Sequence, residues 1–442
     1  MNPENSSSIS FSALGRRTEP PTIARLMSMA LEQKGLLSLA VGFTDNRTLP
    51  VAKVEAAVGA LARQSNEPEY LQYGTNQGRP GLRKLLADRL VAAERELKAD
   101  TVAESLMITN GSQQALYLAT QVLCDPGDII LVDRPSYFVF LEMLAGLGVQ
   151  ARSMPVNAAG QIDGEALRQL LIEMETRGEK GRLKAVYFVS YFSNPSARSL
   201  TEGEKNTIAH VLTERGLVIP VLEDAAYRDL FFCQPHAARS VLGLPAWRAF
   251  PKLYLSTLTK SFATGLKVGY GFCSDKTWLK KMLHVKGHHD FGTANFNQAI
   301  FEHVLSDGGF EAQLARIRPA YEAKMHCLQG VLKAEGLAAL GWRWAEPTGG
   351  LYLWLEAPLE LDTAMDSAFC HACIREGVLY VPGDLCFGDV APKNFVRLSF
   401  GVLSESNLVE AGRRFVTVAK QFGCRNGVSS ASGEPLPNDR IT

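Results

Sequence analysis

The sequence lacks an excess of either charge, and it lacks long apolar runs. Its 442 residues include 46 Lys and Arg and 46 Asp and Glu, so no overall field attracts nucleic acid or an anionic membrane. No apolar run approaches about 18 residues, and we therefore expect no transmembrane helix. The first residues, MNPENSSSISFSALGRR, have no apolar segment of a secretory signal. With 46% hydrophobic and 21% charged residues, the composition is typical of an ordinary soluble globular protein.

A cysteine pattern typical of a metal site or a disulfide framework is also missing. The eight cysteines are scattered, and the close pair Cys370 and Cys373 has no second pair that would complete a zinc set. We therefore expect this pair to be buried or partly buried thiols, not metal ligands. Unpatterned cysteines in a long chain fit a reducing compartment, which predicts a cytoplasmic protein.

What the chain does have is an alternation of short apolar runs and helix-period stretches. The length suggests two domains. A helix over 201–216 is predicted by the capping box of Thr201 and Glu204. Strand and helix in alternation predict an α/β fold with a mostly parallel sheet in a large domain over 51–310. The apolar runs are SLMIT (105–109), DIILVD (128–133), AVYFVSY (185–191), VIPVLED (218–224), LYLSTL (253–258) and GYGFCS (269–274).

The pattern changes after residue 310. A long helix is predicted over 310–336, with a bend at Pro319. The stretch 342–358 predicts a hairpin, and NFVRLSFGV predicts a strand. We assign residues 1–50 and 311–422 to a smaller α+β domain, and we expect the polar, turn-rich residues 423–442 to be disordered.

Polar residues follow several of the predicted strands, where parallel sheets bind their ligands. Each of the first three groups has a plain structural interpretation when it is taken alone: Ser112 as an N-cap, Tyr137 as a rim aromatic, and Asn194 before Pro195 as a turn former. In a helix start such as Gly111-Ser112-Gln113, free amides and the helix dipole also favour an anion.

Two further strand ends are harder to explain structurally. Glu223 and Asp224 end an apolar strand, so at least one carboxylate is poorly solvated and needs a positive partner. Lys260 follows another such strand, where burial lowers the pKa of an amine and makes it a usable nucleophile. Together with Tyr227, these groups suit a flat, phosphorylated cofactor that carries an aldehyde and a ring nitrogen.

At this point the chain resembles a known family, the pyridoxal 5′-phosphate (PLP) enzymes of fold type I, class I/II aminotransferases. It is most similar to the kynurenine and 2-aminoadipate aminotransferase subgroup. The resemblance covers most of the chain, in the order and spacing of the family. It implies the fold type I architecture, with a mostly parallel, seven-stranded sheet in the large domain and a smaller α+β domain. The matching segments are SLAVGFTDNRTLP, YLQYGTNQGRPGLRKLL, TNGSQQAL, DPGDIILVDRPSY, SNPSARSLT, EDAAYRDL, TKSFATGLKVGY, PTGGLYLWL, VPGDLCF and NFVRLSFG.

The resemblance implies the catalytic roles. Lys260 would form the Schiff base with PLP and then move the proton during transamination. Asp224 would pair with the pyridine nitrogen and keep it protonated, so that the ring withdraws electrons from the substrate α-carbon. Asn194 and Tyr227 would hydrogen-bond the phenolic oxygen of the ring, and Tyr137 would stack on its face.

The resemblance also implies the phosphate site. Ser112 and Gln113 would hold the phosphate together with Thr257 and Thr259. The family usually has an arginine seven residues after the Schiff-base lysine, and this chain has Lys267 there. A lysine supplies one point charge instead of a planar fork. We still assign Lys267 to the phosphate.

Substrate binding and assembly are implied by further matches. Arg397 would hold the substrate α-carboxylate in a bidentate pair, with help from Asn194 and the backbone of Gly42. Tyr73 would reach the phosphate from a partner subunit, which implies a homodimer. The substrates would be an amino acid and a 2-oxo acid, with no metal required.

Some segments depart from the family pattern. The usual Pro-Thr-Gly is Pro195-Ser196-Ala197, and the N-terminal carboxylate loop is Gly42-Phe43-Thr44. The segment HVKGHHDFGT (284–293) holds three of the eight histidines. We interpret it as a surface loop, and the alternative is that His288 or His289 recognises the substrate.

Three functions are compatible with these residues. The first is an aminotransferase that moves the α-amino group of an L-amino acid to a 2-oxo acid. The second is a PLP-dependent lyase, cyclase or oxidase on the same scaffold, which would also need Lys260 and Asp224. The third is a cofactor-binding regulatory module without catalysis, which the short N-terminus without a basic helix-turn-helix pattern disfavours.

Overall fold

The computed structural model describes residues 9–32, 35–64, 68–94 and 96–423. The predicted disordered tail lies outside the described residues, except for residue 423. None of the helices in the described part of the chain is long and apolar enough to cross a membrane. Cys370 and Cys373 are both buried, which confirms the prediction of buried thiols.

The strands form one large sheet and two small ones. Seven strands make the large sheet in the order β2-β8-β7-β6-β5-β3-β4, and β8 is antiparallel to both of its neighbours. The predicted mostly parallel, seven-stranded sheet is therefore confirmed. The strands are β1 (Leu37–Ser38), β2 (Leu106–Asn110), β3 (Ile129–Val132), β4 (Gln150–Ser153), β5 (Leu183–Val189), β6 (Val221–Asp224), β7 (Lys252–Thr257), β8 (Val268–Cys273), β9 (Arg343–Trp344), β10 (Tyr352–Glu356), β11 (Val378–Leu379), β12 (Val381–Pro382) and β13 (Phe395–Ser399).

Fourteen helices are found in the described residues, and many of them cover the large sheet. The predicted capping box of Thr201 is present, because its hydroxyl accepts from the amide of Glu204 while the Glu204 carboxylate accepts from the Thr201 amide. The helices are α1 (Ala13–Arg17), α2 (Thr22–Glu32), α3 (Val51–Gln64), α4 (Pro80–Ala93), α5 (Ala99–Ser105), α6 (Gly111–Leu123), α7 (Phe138–Leu147), α8 (Gly164–Thr176), α9 (Glu202–Glu214), α10 (Lys276–His289), α11 (Asn295–Ser306), α12 (Gly309–Ala334), α13 (Ala368–Arg375) and α14 (Glu405–Gly423).

The core lies on both faces of the large sheet because its strands are apolar on both sides. All four residues of β3 are buried. Ile130 and Val132 pack on one face with Leu116 of α6, and Ile129 and Leu131 pack on the other face with residues of α8 and α9. This is the pattern of a parallel sheet covered on both faces.

The six remaining strands form the two small sheets, and five of them come after residue 342. Strands β12, β13, β10 and β9 form an antiparallel sheet, which includes the predicted hairpin of β9 and β10 and the predicted strand β13. The long helix predicted over 310–336 is present as α12, with Pro319 inside it. Strand β1 pairs in parallel with β11, so the N-terminal segment joins the C-terminal part of the chain. The domain boundaries and the bend at Pro319 stay predictions.

The order and directions of the strands bring the polar strand ends together. Strands β2, β7, β6, β5 and β3 run in the same direction, so they end at one edge of the sheet. Strand β8 runs in the opposite direction and begins at this edge, directly after Lys267. Residues that are far apart in sequence therefore meet there.

Candidate active site

A cavity of about 190 Å³ opens at this edge of the sheet. It contains every residue predicted to contact the cofactor within one chain, and Tyr73 is absent from its wall. Its lining consists of Asn110, Gly111, Ser112, Gln113, Tyr137, Val189, Asn194, Asp224, Ala226, Tyr227, Thr257, Thr259, Lys260 and Lys267.

Lys260 lies on the wall of the cavity, three residues after the end of β7. Its Nζ donates a hydrogen bond to the backbone oxygen of Gly42 at 2.6 Å. Burial, together with the positive charges of Arg397 and Lys267, lowers the pKa of this amine to about 8. Among the described residues, no carboxylate lies within ion-pair distance of Lys260. The amine is therefore available in its neutral, nucleophilic form close to neutral pH.

Asp224 ends β6 and is only 4% exposed. Its Oδ1 accepts from the amide of Ala226 at 2.9 Å, and its Oδ2 accepts from the hydroxyl of Tyr187 at 3.3 Å. Both donors are neutral, and burial raises the pKa of the carboxyl to about 6. A buried carboxylate with no cation in the described structure fits a ligand with a protonated ring nitrogen, such as the pyridine ring of PLP.

Arg397 is 1% exposed and has a side chain that is only partly satisfied. Its guanidinium donates to Asn194 Oδ1 at 2.7 Å and to the backbone oxygen of Ala40, while its Nε has no partner. The guanidinium carbon lies 4.3 Å from the ring centre of Tyr352 and 5.5 Å from that of Phe138. This is a buried cation held between aromatic rings, without a carboxylate partner among the described residues.

Tyr352 is a site residue that the sequence reasoning missed. Its hydroxyl lies 2.8 Å from the hydroxyl of Tyr227, and burial raises the pKa of Tyr227 well above its usual value. Tyr352 thus connects Tyr227 to Arg397. The sequence signal was weak, because an aromatic residue within the strand segment GLYLWL is typical of any buried hairpin.

The start of α6 forms one end of the cavity. The helix begins at Gly111, so the N-cap is Asn110 and the interpretation of Ser112 as a plain N-cap is wrong. The first-turn amides of a helix have no partner within the helix, and they favour an anion. A side chain at Gly269 would place its Cβ 2.4 Å from the backbone of Gly111 and 2.5 Å from that of Ser112. Glycine therefore allows β8 to pack directly against this turn.

Two threonines and a lysine complete the same end. Thr257 Oγ1 lies 2.7 Å from Thr259 Oγ1 and accepts from the amide of Thr259 at 3.1 Å. Lys267 has a left-handed backbone, with φ of 52°, just before β8 turns back across the sheet. Backbone amides, hydroxyl groups and an ammonium group are the donors that suit a phosphate, so this end of the cavity fits the phosphate of PLP.

Other predicted residues lie outside the cavity. Tyr73 is 84% exposed and packs edge-on against Phe291, with ring centres 5.5 Å apart. Gly42 accepts from Lys260 through its backbone oxygen, and a Cβ at this position would lie 2.6 Å from the hydroxyl of Tyr352. The predicted surface loop over 284–293 is wrong in its first part, because α10 continues to His289. Residues 284–289 are the C-terminal part of α10, and only the residues after His289 leave the helix.

A larger cleft of about 760 Å³ lies next to the loop that carries Asn194. Among the described residues that line it there is no lysine. Its three arginines all pair with carboxylates. Asp133, which also lines this cleft, is a buried carboxylate without an ion-pair partner among the described residues, but the cleft has no buried amine beside it. The smaller cavity is lined by both a buried amine and a buried carboxylate without such partners, and for this reason it is the candidate active site.

The chain is similar to known proteins over most of its length. The sequence profile of the family "Aminotransferase class I and II" matches residues 34–415. A 2-aminoadipate transaminase of Thermus thermophilus is 28% identical over 90% of this chain and 93% of its own. The HTH-type transcriptional regulator NorG of Staphylococcus aureus is 25% identical over 86% of this chain and 82% of its own.

The fold has solved counterparts as well. A kynurenine aminotransferase of Pyrococcus horikoshii, solved in complex with PMP, superposes with a TM-score of 0.82 and 26% identity. The match covers 93% of this chain and 97% of that one. The family match over residues 34–415 spans the large sheet and both small sheets.

Proposed function

The chain belongs to the class I and II aminotransferases, and we propose that Lys260, Asp224 and Arg397 carry its reaction. It is a PLP-dependent enzyme of fold type I that transfers an amino group from an amino acid to a 2-oxo acid (EC 2.6.1). When bound, PLP supplies an aldehyde that forms a Schiff base with an amine and a ring that withdraws electrons from the α-carbon. One observation carries the residue assignment, namely a buried amine and a buried carboxylate that line one cavity without ion-pair partners in the described structure.

Lys260 acts as nucleophile and then as proton carrier. Its lowered pKa, about 8, leaves a useful fraction of neutral amine at neutral pH. Lys260 Nζ donates a hydrogen bond to the Gly42 oxygen. Once this bond is released, the amine would be free to take a proton from the substrate α-carbon and later return it. The same group thus serves both halves of a two-stage reaction.

Asp224 keeps a proton on the ring nitrogen of the cofactor. Its neutral donors, Tyr187 and Ala226, fix the carboxylate without neutralising its charge. The anion is poorly solvated, so it stabilises a cation placed next to it more strongly than an exposed carboxylate would. Asn194 and Tyr227 would hydrogen-bond the phenolic oxygen of the bound cofactor, and Tyr137 would lie against its ring.

Arg397 binds the α-carboxylate that every amino acid substrate carries. A planar guanidinium suits a carboxylate because two parallel hydrogen bonds form at once. Asn194 and Tyr352 hold the fork in place. The backbone amide of Gly42 would donate a further hydrogen bond to this carboxylate, because the carbonyl oxygen of Gly42 is an acceptor and is bonded to Lys260.

The phosphate is assigned to the opposite end of the cavity. Ser112 and Gln113 supply first-turn donors of α6, and Thr257 and Thr259 supply hydroxyl groups. Lys267 supplies the positive charge. These groups lie on three separate strand ends, which explains why the site forms only in the folded chain.

We also infer a homodimer in which Tyr73 reaches the phosphate of the partner subunit. Tyr73 and Phe291, 84% and 63% exposed, form an aromatic pair on the surface of one chain. Exposed aromatic pairs are typical of protein interfaces. Sedimentation of Tyr73→Ala and of the native protein tests the contact, and a monomeric native protein would contradict it.

The central experiment compares Lys260→Ala with Lys276→Ala, whose lysine is 80% exposed. We expect Lys260→Ala to lose the visible absorbance of the covalently bound cofactor and to slow the reaction by roughly 10³-fold or more, while Lys276→Ala keeps both. Acidic, aromatic and aliphatic amino acids are offered with 2-oxoglutarate or pyruvate. Paired formation of a new amino acid and a new oxo acid supports the proposal. Ammonia or peroxide released without an acceptor would instead mean a lyase or an oxidase.

A further inference from the structure

The N-cap residue of α6 does not cap its own helix. Asn110 occupies the N-cap position, where asparagine normally accepts a hydrogen bond from a first-turn amide. Its side chain makes no such bond. Instead its Nδ2 donates to Oδ2 of Asp290 at 3.1 Å. A strong capping residue is thus turned away from the amides that face the cavity.

Asp290 is held firmly enough to fix this orientation. Both of its oxygens accept from Nζ of Lys286 at 2.9 Å, and Lys286 is 0% exposed. The amide of Gly292 donates to Oδ1 at 2.9 Å. The side chain of Gln114 donates to Oδ2 at 2.7 Å. With these donors the carboxylate has little freedom to move, although its side chain remains 13% exposed.

Gln114, in the first turns of α6, also donates its side-chain amide to Asp290. Its Oε1 accepts from the backbone amide of Asn110 at 2.9 Å, while its Nε2 donates to Asp290. The side chains of Asn110 and Gln114 are therefore both engaged with Asp290, and Gln114 Nε2 also lies 3.1 Å from Nδ1 of His289. The amides of Ser112 and Gln113 stay available to a ligand in the cavity.

We propose that Asp290 is a positioning residue that holds Asn110 away from its own helix and so reserves the first-turn amides of α6 for the cofactor phosphate. The inference rests on the proposed function, because it assumes that the phosphate binds at this helix start. Without Asp290, the carboxamide of Asn110 rotates back and caps α6. The phosphate then has to displace an internal hydrogen bond, which weakens its binding by about tenfold.

A purely structural role for Asp290 makes a different prediction. If Asp290 served only to neutralise the charge of the buried Lys286, it would stabilise the fold. Its loss would then affect phosphorylated and unphosphorylated ligands equally. The two roles separate when PLP is compared with pyridoxal, which has the same ring and aldehyde and no phosphate. Competition by inorganic phosphate reports on the same amides independently of Lys260.

The first test removes the charge pair as a unit. Asp290→Ala combined with Lys286→Met avoids leaving a buried ammonium without its partner. We expect the dissociation constant of PLP to rise by about tenfold, with that of pyridoxal unchanged. Adding Asn110→Ala to this variant removes the competing cap and is expected to recover most of the loss. Equal losses for both ligands, no loss, or no recovery would each overturn the proposal.

The second test uses an exposed position, so folding is not at risk. Asn110→Ser supplies a short side chain that caps α6 but cannot reach Asp290, and Asn110→Ala supplies neither contact. We expect the Ser variant to bind PLP and inorganic phosphate several-fold more weakly than the Ala variant, with equal affinity for pyridoxal. Equal PLP affinity in the two variants would overturn the inference. If the native protein bound no PLP, the proposed function itself would fail, which distinguishes the two failures.

Discussion

Two neighbouring carboxylates at the end of β6 have opposite surroundings. Glu223 is 0% exposed and is fully partnered, by Nζ of Lys205 at 3.1 Å, the hydroxyl of Ser190 at 2.5 Å and the amide of Val241 at 2.9 Å. Asp224, on the opposite face, is almost as buried and has only neutral donors. Burial alone therefore does not identify a functional carboxylate. A buried carboxylate that lacks a counter-charge and shares a cavity with a buried amine is the better indication.

The lysines of the two faces differ in the same way. Lys205 is 0% exposed and forms an ion pair with Glu223, while Lys260 donates only to a backbone oxygen. We call the Glu223 side the closed face and the Asp224 side the cavity face. The closed face is electrostatically complete, and the cavity face becomes complete only when a ligand with both charges binds.

The largest effect that would test this difference is on stability. We expect Glu223→Gln to destabilise the apo protein by about 3–5 kcal/mol, because it leaves the buried Lys205 without its counter-charge. Asp224→Asn removes a charge that has no counter-charge and is expected to be neutral or stabilising. Urea unfolding of both variants at pH 8 gives the two free energies.

The pH dependence of the Asp224 effect has a definite sign. The pKa of Asp224 is raised from 3.8 in the unfolded chain to about 6 in the folded protein, so its ionised form costs stability above pH 6. As the pH falls from about 6 to about 4, the native carboxyl binds a proton before the unfolded one does, and this cost disappears. Any advantage of Asp224→Asn should shrink over that range. Equal destabilisation by the two amide variants would remove the distinction between the faces.

The strand ends of the cavity face could be predicted because each motif is local. Lys260 and Asp224 directly follow apolar runs, and parallel strands bring such ends to one edge. Tyr352 and Asp290 could not be predicted, because their contacts join segments more than a hundred residues apart. Strand β4 was missed because QARS is short and mostly polar.

The next largest effect is expected on substrate affinity, from substitution of the buried cation Arg397. Arg397→Ala should weaken binding of the substrate α-carboxylate by about 2–5 kcal/mol, since the anion then enters a buried site without its partner. Arg397→Lys should fall between, because one point charge replaces the fork. Arg343→Ala is the control, with a side chain 77% exposed. Substrate titrations give the affinities, and unchanged affinity in Arg397→Ala would refute the assignment.

A smaller effect is expected in the pH dependence of cofactor capture. The pKa of Lys260 is lowered from 10.5 to about 8 by burial and by nearby cations, so the neutral amine becomes dominant as the pH rises through 8. PLP uptake by the apo protein should rise by up to about tenfold per pH unit below 8 and then level off. Stopped-flow absorbance measures this rate. A rate that kept rising by about tenfold per pH unit up to about pH 9, without levelling off near 8, would mean that Lys260 keeps the pKa of an ordinary lysine.

The smallest effect should come from Lys267, the position where the family usually has arginine. Lys267→Arg restores a planar fork near the phosphate, and we expect PLP to bind only about threefold more tightly, because the charge is the same. Lys267→Gln removes the charge and should weaken PLP binding more clearly. The charge of Lys267 also lowers the pKa of Lys260, so Lys267→Gln should move the uptake profile to higher pH and Lys267→Arg should leave it in place. If Lys267→Gln changed neither affinity nor profile, Lys267 would not belong to the cavity face.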